Sequence, residues 1–193
     1  LDHLGVAQAL YTYATAVEGK GRDEDDLAMF RSEREYTNLL LVEQPNGDFA
    51  HTMVRQLFFD AYQLGLWSGL SDSEDETLAG IAGRALKEAT YHLRHSSVWV
   101  VRLGDGTEES HRRAQEAVDV LWKYTAEMFE GDNEVYRSTW ESTVTRVLEE
   151  AGLAIPDDPY QRAGGRHGFH GEHLGLLLAE MQWMQRSYPG LEW

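Results

Sequence analysis

KEATYHLRHS, residues 87–96, poses the question on which the fold turns. A Glu and several His packed into a helical stretch have the look of a metal ligand set. In helical bundles that hold two metal ions, Glu and His stand at i and i+3, so both reach inward from one helix turn. Here the third residue after Glu88 is Tyr91, and His92 arrives one position late. The stretch is a metal site, a damaged one, or a polar seam on a helix, and its surroundings decide which.

Outward from it the chain reads as helix after helix. Amphipathic stretches fall near 1–18, 23–41, 48–70, 74–103, 107–129, 133–151 and 171–187. The breaks carry turn chemistry: GKGRDEDD at 19–26, QPNGD at 44–48, SDSED at 71–75 and GDGT at 104–107. Asp48 and Thr107 are N-cap candidates, and Glu108 and Glu109 suit a helix's positive first turn. No stretch alternates with the period of a half-buried strand. Short connections between long helices favour antiparallel neighbours, so the sequence predicts an all-α, up-down helical bundle forming a single domain over 1–193. The segment AGLAIPDDPYQRAGGRHGFHG, 151–171, is the one long irregular piece. Over about 152–171 it is expected to cross an end of the bundle and deliver the last helix. There is no internal repeat and no low-complexity tract.

Composition sets the bounds. The 193 residues suffice for one sizeable core, and 42% hydrophobic with 11% aromatic residues is a globular balance. No run of about 18 apolar residues offers a membrane span. The chain opens at Leu1 without Met or a basic leader, so the expectation is that this is not a complete native N-terminus. The absence of Cys removes disulfides, thiolate metal sites and Cys nucleophiles, and fits a reducing cytoplasm. With 17 Lys+Arg against 33 Asp+Glu the net charge is −16. Such a surface repels nucleic acid and anionic lipid, and disfavours the phosphates of coenzyme A. It keeps the chain soluble and leaves room for a basic partner.

On a 100° wheel Met53, Leu57, Asp60, Leu64 and Trp67 share one stripe, so Asp60 interrupts an apolar face. Glu88, Tyr91, His92, His95 and Trp99 occupy about a third of the next long helix's circumference. Two carboxylates from different helices are therefore expected to approach inside the bundle. Buried carboxylates need a cation, a proton or a donor, and iron, Arg55, His92 or Tyr91 could serve. A di-iron centre of the ferritin-like type needs a carboxylate from each of two helices and a Glu-x-x-His pair from each of the others. An acid precedes a His by three residues only at Asp48/His51 and Glu108/His111, both in first helical turns where capping explains the acid. The remaining candidate pairs are Asp2/Gly5, whose second member cannot ligate, and Glu88/Tyr91. The carboxylates remain while both imidazoles are absent. The expected site is a vestigial polar seam of Asp2, Gly5, Asp60, Glu88, Tyr91 and His92, with no metal, cofactor or catalytic residue. Asp60 and Glu88 are expected to share ion pairs or hydrogen bonds within it, so that Glu88→Ala strands its partner.

Other site chemistries are weaker. RHGFHGEH, 166–173, spaces His167, His170 and His173 by three, and with Glu172 they could hold Zn. Four glycines at 164, 165, 168 and 171 make a loop that caps the last helix and bonds to its neighbours the stronger reading. No G-x-S-x-G elbow, Walker A loop or G-x-G-x-x-G following a strand occurs. With six Trp and nine Tyr the chain has more aromatic surface than one core requires, which suits partner interfaces.

Three blocks carry a family resemblance: REYTNLLLVEQPNGDFAHTMVRQLFFDAY (34–62), KEATYHLRHSSVWVVRLGDGTEESHRR (87–113) and GRHGFHGEHLGLLLAEMQWMQRSYPG (165–190). Together they resemble the C subunits of bacterial phenylacetyl-CoA epoxidases over nearly the whole chain. The resemblance implies a ferritin-like bundle and a non-catalytic structural role in aerobic phenylacetate catabolism. It also implies a core complex with a homologous catalytic A subunit, which holds the di-iron centre and binds the acyl-CoA, and with further small and reductase subunits. Two departures stand out. Family members begin with another helix before the position of Leu1, and they carry a longer acidic connection where this chain has only Glu130, Gly131 and Asp132 between Phe129 and Asn133. The contrasting expectation is a self-sufficient ferritin-like oxidoreductase with an atypical site of Asp60, Glu88, His92 and His173. The missing imidazoles and the acidic balance argue against it.

Overall fold

The computed structural model describes residues 1–157 and 160–190. Among the described residues eight α-helices follow one another: α1 (Asp2–Glu18), α2 (Glu24–Met29), α3 (Leu40–Glu43), α4 (Phe49–Leu70), α5 (Glu76–Gly104), α6 (Glu108–Leu121), α7 (Arg137–Glu150) and α8 (Glu172–Ser187). Short 3₁₀ turns fill the stretches 33–35, 122–136 and 165–167. No strand occurs among the described residues. The caps are local and legible. Asp48 accepts from the His51 amide at 2.9 Å to start α4, and Thr107 accepts from the Ser110 amide at 3.1 Å to start α6. Asp75 does the same for α5 through the Leu78 amide at 2.9 Å.

The core forms where α4 lies against α5, α6 and α7. Val54, Leu57 and Phe58 of α4 meet Val100, Val118, Leu121, Val144, Val147 and Leu148, all inaccessible to solvent. Trp140 packs its ring against Phe58, Trp122 and Phe129 and donates from Nε1 to the Phe58 carbonyl at 2.8 Å. The buried indole is thus satisfied while its ring fills the core. The C-terminal end of α5 comes so close to the chain leaving α7 that a Cβ at Gly104 would overlap the Ala151 carbonyl. A second, smaller cluster of Trp67, Ala82, Ala85 and Ala89 receives Val6 and Leu10 from α1. Thr15 is the one buried residue of α1.

Two expected helices are interrupted. The stretch 23–41 holds α2, a 3₁₀ turn and α3, with extended backbone between. Carbonyls that would continue α2 are taken from outside: Gln182 Nε2 donates to the carbonyls of Ala28 and Arg31 at 3.2 and 3.0 Å, and Arg186 donates to those of Met29, Phe30 and Arg31. Tyr36 also gives its hydroxyl proton to the Ala28 carbonyl. The stretch 107–129 stops being α-helical at Leu121, and 3₁₀ turns carry the chain to Tyr136. The segment 152–171 is irregular apart from the turn at 165–167, with residues 158–159 of it outside the described ones. Residues 191–193 also lie outside them.

Candidate functional site

Asp60 lies where the apolar stripe of α4 placed it, 1% exposed. Its partner differs from the expected one. Ser96 of α5 donates from Oγ to Asp60 Oδ2 at 2.8 Å, while Oδ1 is buried with no hydrogen-bond partner. Burial lifts the Asp60 carboxyl to about 6, against the pull of the Ser96 hydroxyl and of nearby His92. The face that α5 buries runs through Ala82, Ala85, Ala89, Ser96 and Val100, one step around the helix from the Glu88–Trp99 stripe. Small side chains let α4 and α5 approach, which carries Tyr91 away from the core. Tyr91 is 66% exposed and stacks on His95, whose Nε2 receives the Trp99 indole proton at 3.1 Å. Glu88 is half-buried, and its charge acts on His3 of α1. The seam is thus Asp60 with Ser96 and His92, and the expected Asp60–Glu88 pairing is not formed.

The N-terminal turn of α1 closes the seam. Exposed Asp2 sits 3.0 Å from His92 Nε2 through Oδ2. Gly5 has open space around it and offers no ligand. His3, which the acid–x–x–His search passes over, has its ring centroid 4.9 Å from that of His92. Although His3 is exposed overall, partial desolvation of its ring chiefly lowers its pKa, with His92 adding to the effect and Asp2 opposing it.

Two further buried acids carry structural chemistry that sequence reading missed. Glu127 is 1% exposed in the 3₁₀ stretch after α6. Its Oε2 accepts from the Leu40 amide at 2.7 Å, and its Oε1 from the amides of Gly164 and Gly165 at 2.9 and 2.6 Å. Arg166 brings a guanidinium alongside, donating to the Glu127 and Met128 carbonyls and to the Tyr62 hydroxyl. The site needs glycine: a Cβ at Gly165 would overlap the Asn38 carbonyl, and Gly164 has φ of 128°. Glu43, 3% exposed, ends α3 and accepts from His170 Nδ1 at 2.6 Å, from the Gly171 amide at 2.9 Å and from Asn38 Nδ2 at 2.9 Å. His170 Nε2 lies 2.9 Å from the Tyr36 carbonyl. The ring thus bridges the Glu43 carboxylate and the Tyr36 carbonyl, tying α3 and the chain before it to the loop that precedes α8. For Glu43 the signal lay in the quoted blocks, where an isolated Glu in an apolar run and a glycine-rich loop form complementary halves; Glu127 lies outside them.

This disposes of the C-terminal His cluster. His170 is committed to Glu43, His167 is exposed, and His173 is half-buried beside Glu172. The loop acts instead as a clasp that fastens α8 to the bundle: it bonds to its neighbours as expected, while no side chain of it caps α8. Trp67 and Trp140 are buried and Trp99 and Trp122 partly so, whereas Tyr91, Tyr160 and Phe169 are exposed, in line with the expected surface aromatics, but lie apart on α5 and in the loop before α8. Exposed apolar groups gather instead along α8, where Leu176 is 69% and Trp183 62% exposed, beside Leu177, Met181 and Met184.

An all-α bundle whose two longest helices pair over a polar seam is the architecture of ferritin-like proteins. The chain belongs to the family described as phenylacetic acid catabolic protein, whose model matches residues 1–193. It is 45% identical over 207 residues to the C subunit of 1,2-phenylacetyl-CoA epoxidase of Escherichia coli (strain K12), a match covering 100% of this chain and 83% of that protein. No described helix is long and apolar enough to cross a membrane.

Proposed function

We propose that this chain is a non-catalytic structural subunit of a multicomponent phenylacetyl-CoA epoxidase in the cytoplasm, stabilising a homologous catalytic subunit that carries the di-iron centre. The likeness to the Escherichia coli C subunit carries this reading. The seam supports it: one buried carboxylate, Asp60, meets a serine where a di-iron centre needs four carboxylates and two Glu-x-x-His imidazoles. A half-open cleft of about 650 Å³ beside the clasp is lined by a single guanidinium, Arg162, with Glu172 near it. That cleft offers the several phosphates of an acyl-CoA little positive charge, although Arg94, Arg102 and Arg146 line another of about 550 Å³ between α5 and α7. The apolar stripe on α8 supports a protein partner, because exposed patches of that kind mark interaction surfaces.

Co-expression with the homologous catalytic subunit tests the reading. The complex should epoxidise phenylacetyl-CoA with its reductase, and this chain alone, loaded with Fe(II), should not. Turnover by the isolated chain, or two irons retained per chain after desalting, would point to a self-sufficient oxidoreductase instead.

A further inference from the structure

His3 of α1, Asp60 of α4 and His92 of α5 each offer one ligand atom, and the three atoms lie within 4.8 Å of one another. Two imidazoles and a carboxylate form a donor set that first-row divalent cations accept. Two of the three residues are already held from behind. Ser96 fixes Asp60 through Oδ2, leaving Oδ1 buried without a hydrogen-bond partner. Asp2 holds His92 through Nε2, and Nδ1 is likewise buried and unpartnered. Metal-binding imidazoles commonly have their second nitrogen held by a carboxylate, and metal-binding carboxylates are commonly hydrogen-bonded in turn. Buried polar atoms left unpaired are rare in folded proteins and call for an explanation. Zinc ligands stand about 3.4 Å apart in a tetrahedron, so the three must draw together, which exposed His3 is free to do.

We propose that His3, Asp60 and His92 hold one divalent cation, which staples the N-terminal turn of α1 across α4 and α5. A single ion suits the donor count, since only one carboxylate is buried there and nothing bridges to a second metal. The carboxylates of Asp60 and Asp2 balance its charge. Such a staple adds to a sparse attachment, because α1 is otherwise fastened to the α4–α5 pair by Val6 and Leu10 in the small second cluster, by the Tyr13 hydroxyl on Asp75, and at its first turn by Asp2 on His92 and the His3 ring near Phe59. This inference stands apart from the subunit reading and concerns a structural ion, not an oxygen-activating one.

The test uses the untagged full chain, stripped with EDTA, exchanged into chelator-free buffer and titrated calorimetrically with Zn²⁺ alone, then anaerobically with Fe²⁺ alone. The expected result is one ion per chain and a melting temperature that rises with free metal. Binding should weaken by more than about 100-fold in both His3→Ala and Asp60→Asn. Because His3 is exposed, His3→Ala keeps the metal-free fold and decides the matter even if Asp60→Asn does not. The pair His167→Ala and His173→Ala should leave binding unchanged. Absence of stoichiometric binding, survival of binding in His3→Ala, or its loss with His167 and His173 would overturn the proposal. A metal-free chain leaves the subunit reading intact, whereas two irons per chain overturn both.

Discussion

Removing the Glu127 carboxylate should break the clasp and expose how much of the fold depends on it. In Glu127→Ala the amides of Leu40, Gly164 and Gly165 lose a charged acceptor within 2.9 Å. Leu40 and Gly165 are buried, while half-buried Gly164 can turn to water. A buried donor left unpaired costs about 1–3 kcal/mol, so two of them cost roughly 2–6 kcal/mol. The Arg166 amide, 3.4 Å from Oε1, loses an acceptor as well. Against a domain stability of about 5–15 kcal/mol, this is a large fraction. Glu127→Gln keeps one carbonyl acceptor but turns an NH₂ toward a donor, so its loss should be intermediate. Urea unfolding gives the measure: the midpoint should fall in the order parent, Gln, Ala with the slope retained. Hydrogen exchange should show the Gly164–Arg166 amides losing protection first. A stability for Glu127→Ala within about 0.5 kcal/mol of the parent, the usual range for a surface substitution, would refute the reasoning.

Asp60 makes stability depend on pH in the opposite sense from a salt-bridged acid. Its folded value of about 6 lies above the ordinary 3.8, so its contribution is full below about pH 4 and is lost as pH rises through 6, by about 3 kcal/mol in EDTA. Asp60→Asn should therefore be more stable than the parent at pH 7.5 and gain little at pH 4; parallel pH profiles of the two urea midpoints would contradict this. Gly165→Ala drives a methyl into the Asn38 carbonyl and should cost about 1–3 kcal/mol or more, measured as a lower melting temperature. Trp183→Arg on the exposed face of α8 should leave the isolated chain's stability within about 0.5 kcal/mol while weakening co-purification with the catalytic subunit; undiminished recovery of the complex would place the interface elsewhere.

The long helices were legible because their caps and apolar stripes are local. Asp48, Thr107 and the burial of Asp60 all follow from residues within a turn or two. The break in 23–41 was not, since the donors that take its carbonyls, Gln182 and Arg186, come from the far end of the chain. The orientation of α5 was misjudged by one stripe because alanines carry a weak hydrophobic signal beside Tyr91 and Trp99, yet they are what allows close packing. Glu43 and Glu127 escaped notice for a related reason. An acid inside an apolar run reads as an anomaly until the glycine-rich loop that feeds it amides is folded against it. His3 was missed because a search for paired ligands along one helix cannot see three single ligands from three helices.

The clasp also bears on the order in which the chain comes to rest. Leu40 and Glu127 are 87 positions apart, and His170 lies 127 beyond Glu43. Contacts so distant close late, after local helices and their packed pairs have formed. During synthesis α4 to α7 can bury their common core before the ribosome releases Gly164 and the residues after it. Until then the carbonyls after α2, the Leu40 amide and two acids wait for partners. On the proposed subunit reading, the apolar stripe of α8 would therefore meet a partner only after the rest of the chain has come to rest, which would make completion of the fold a checkpoint for assembly.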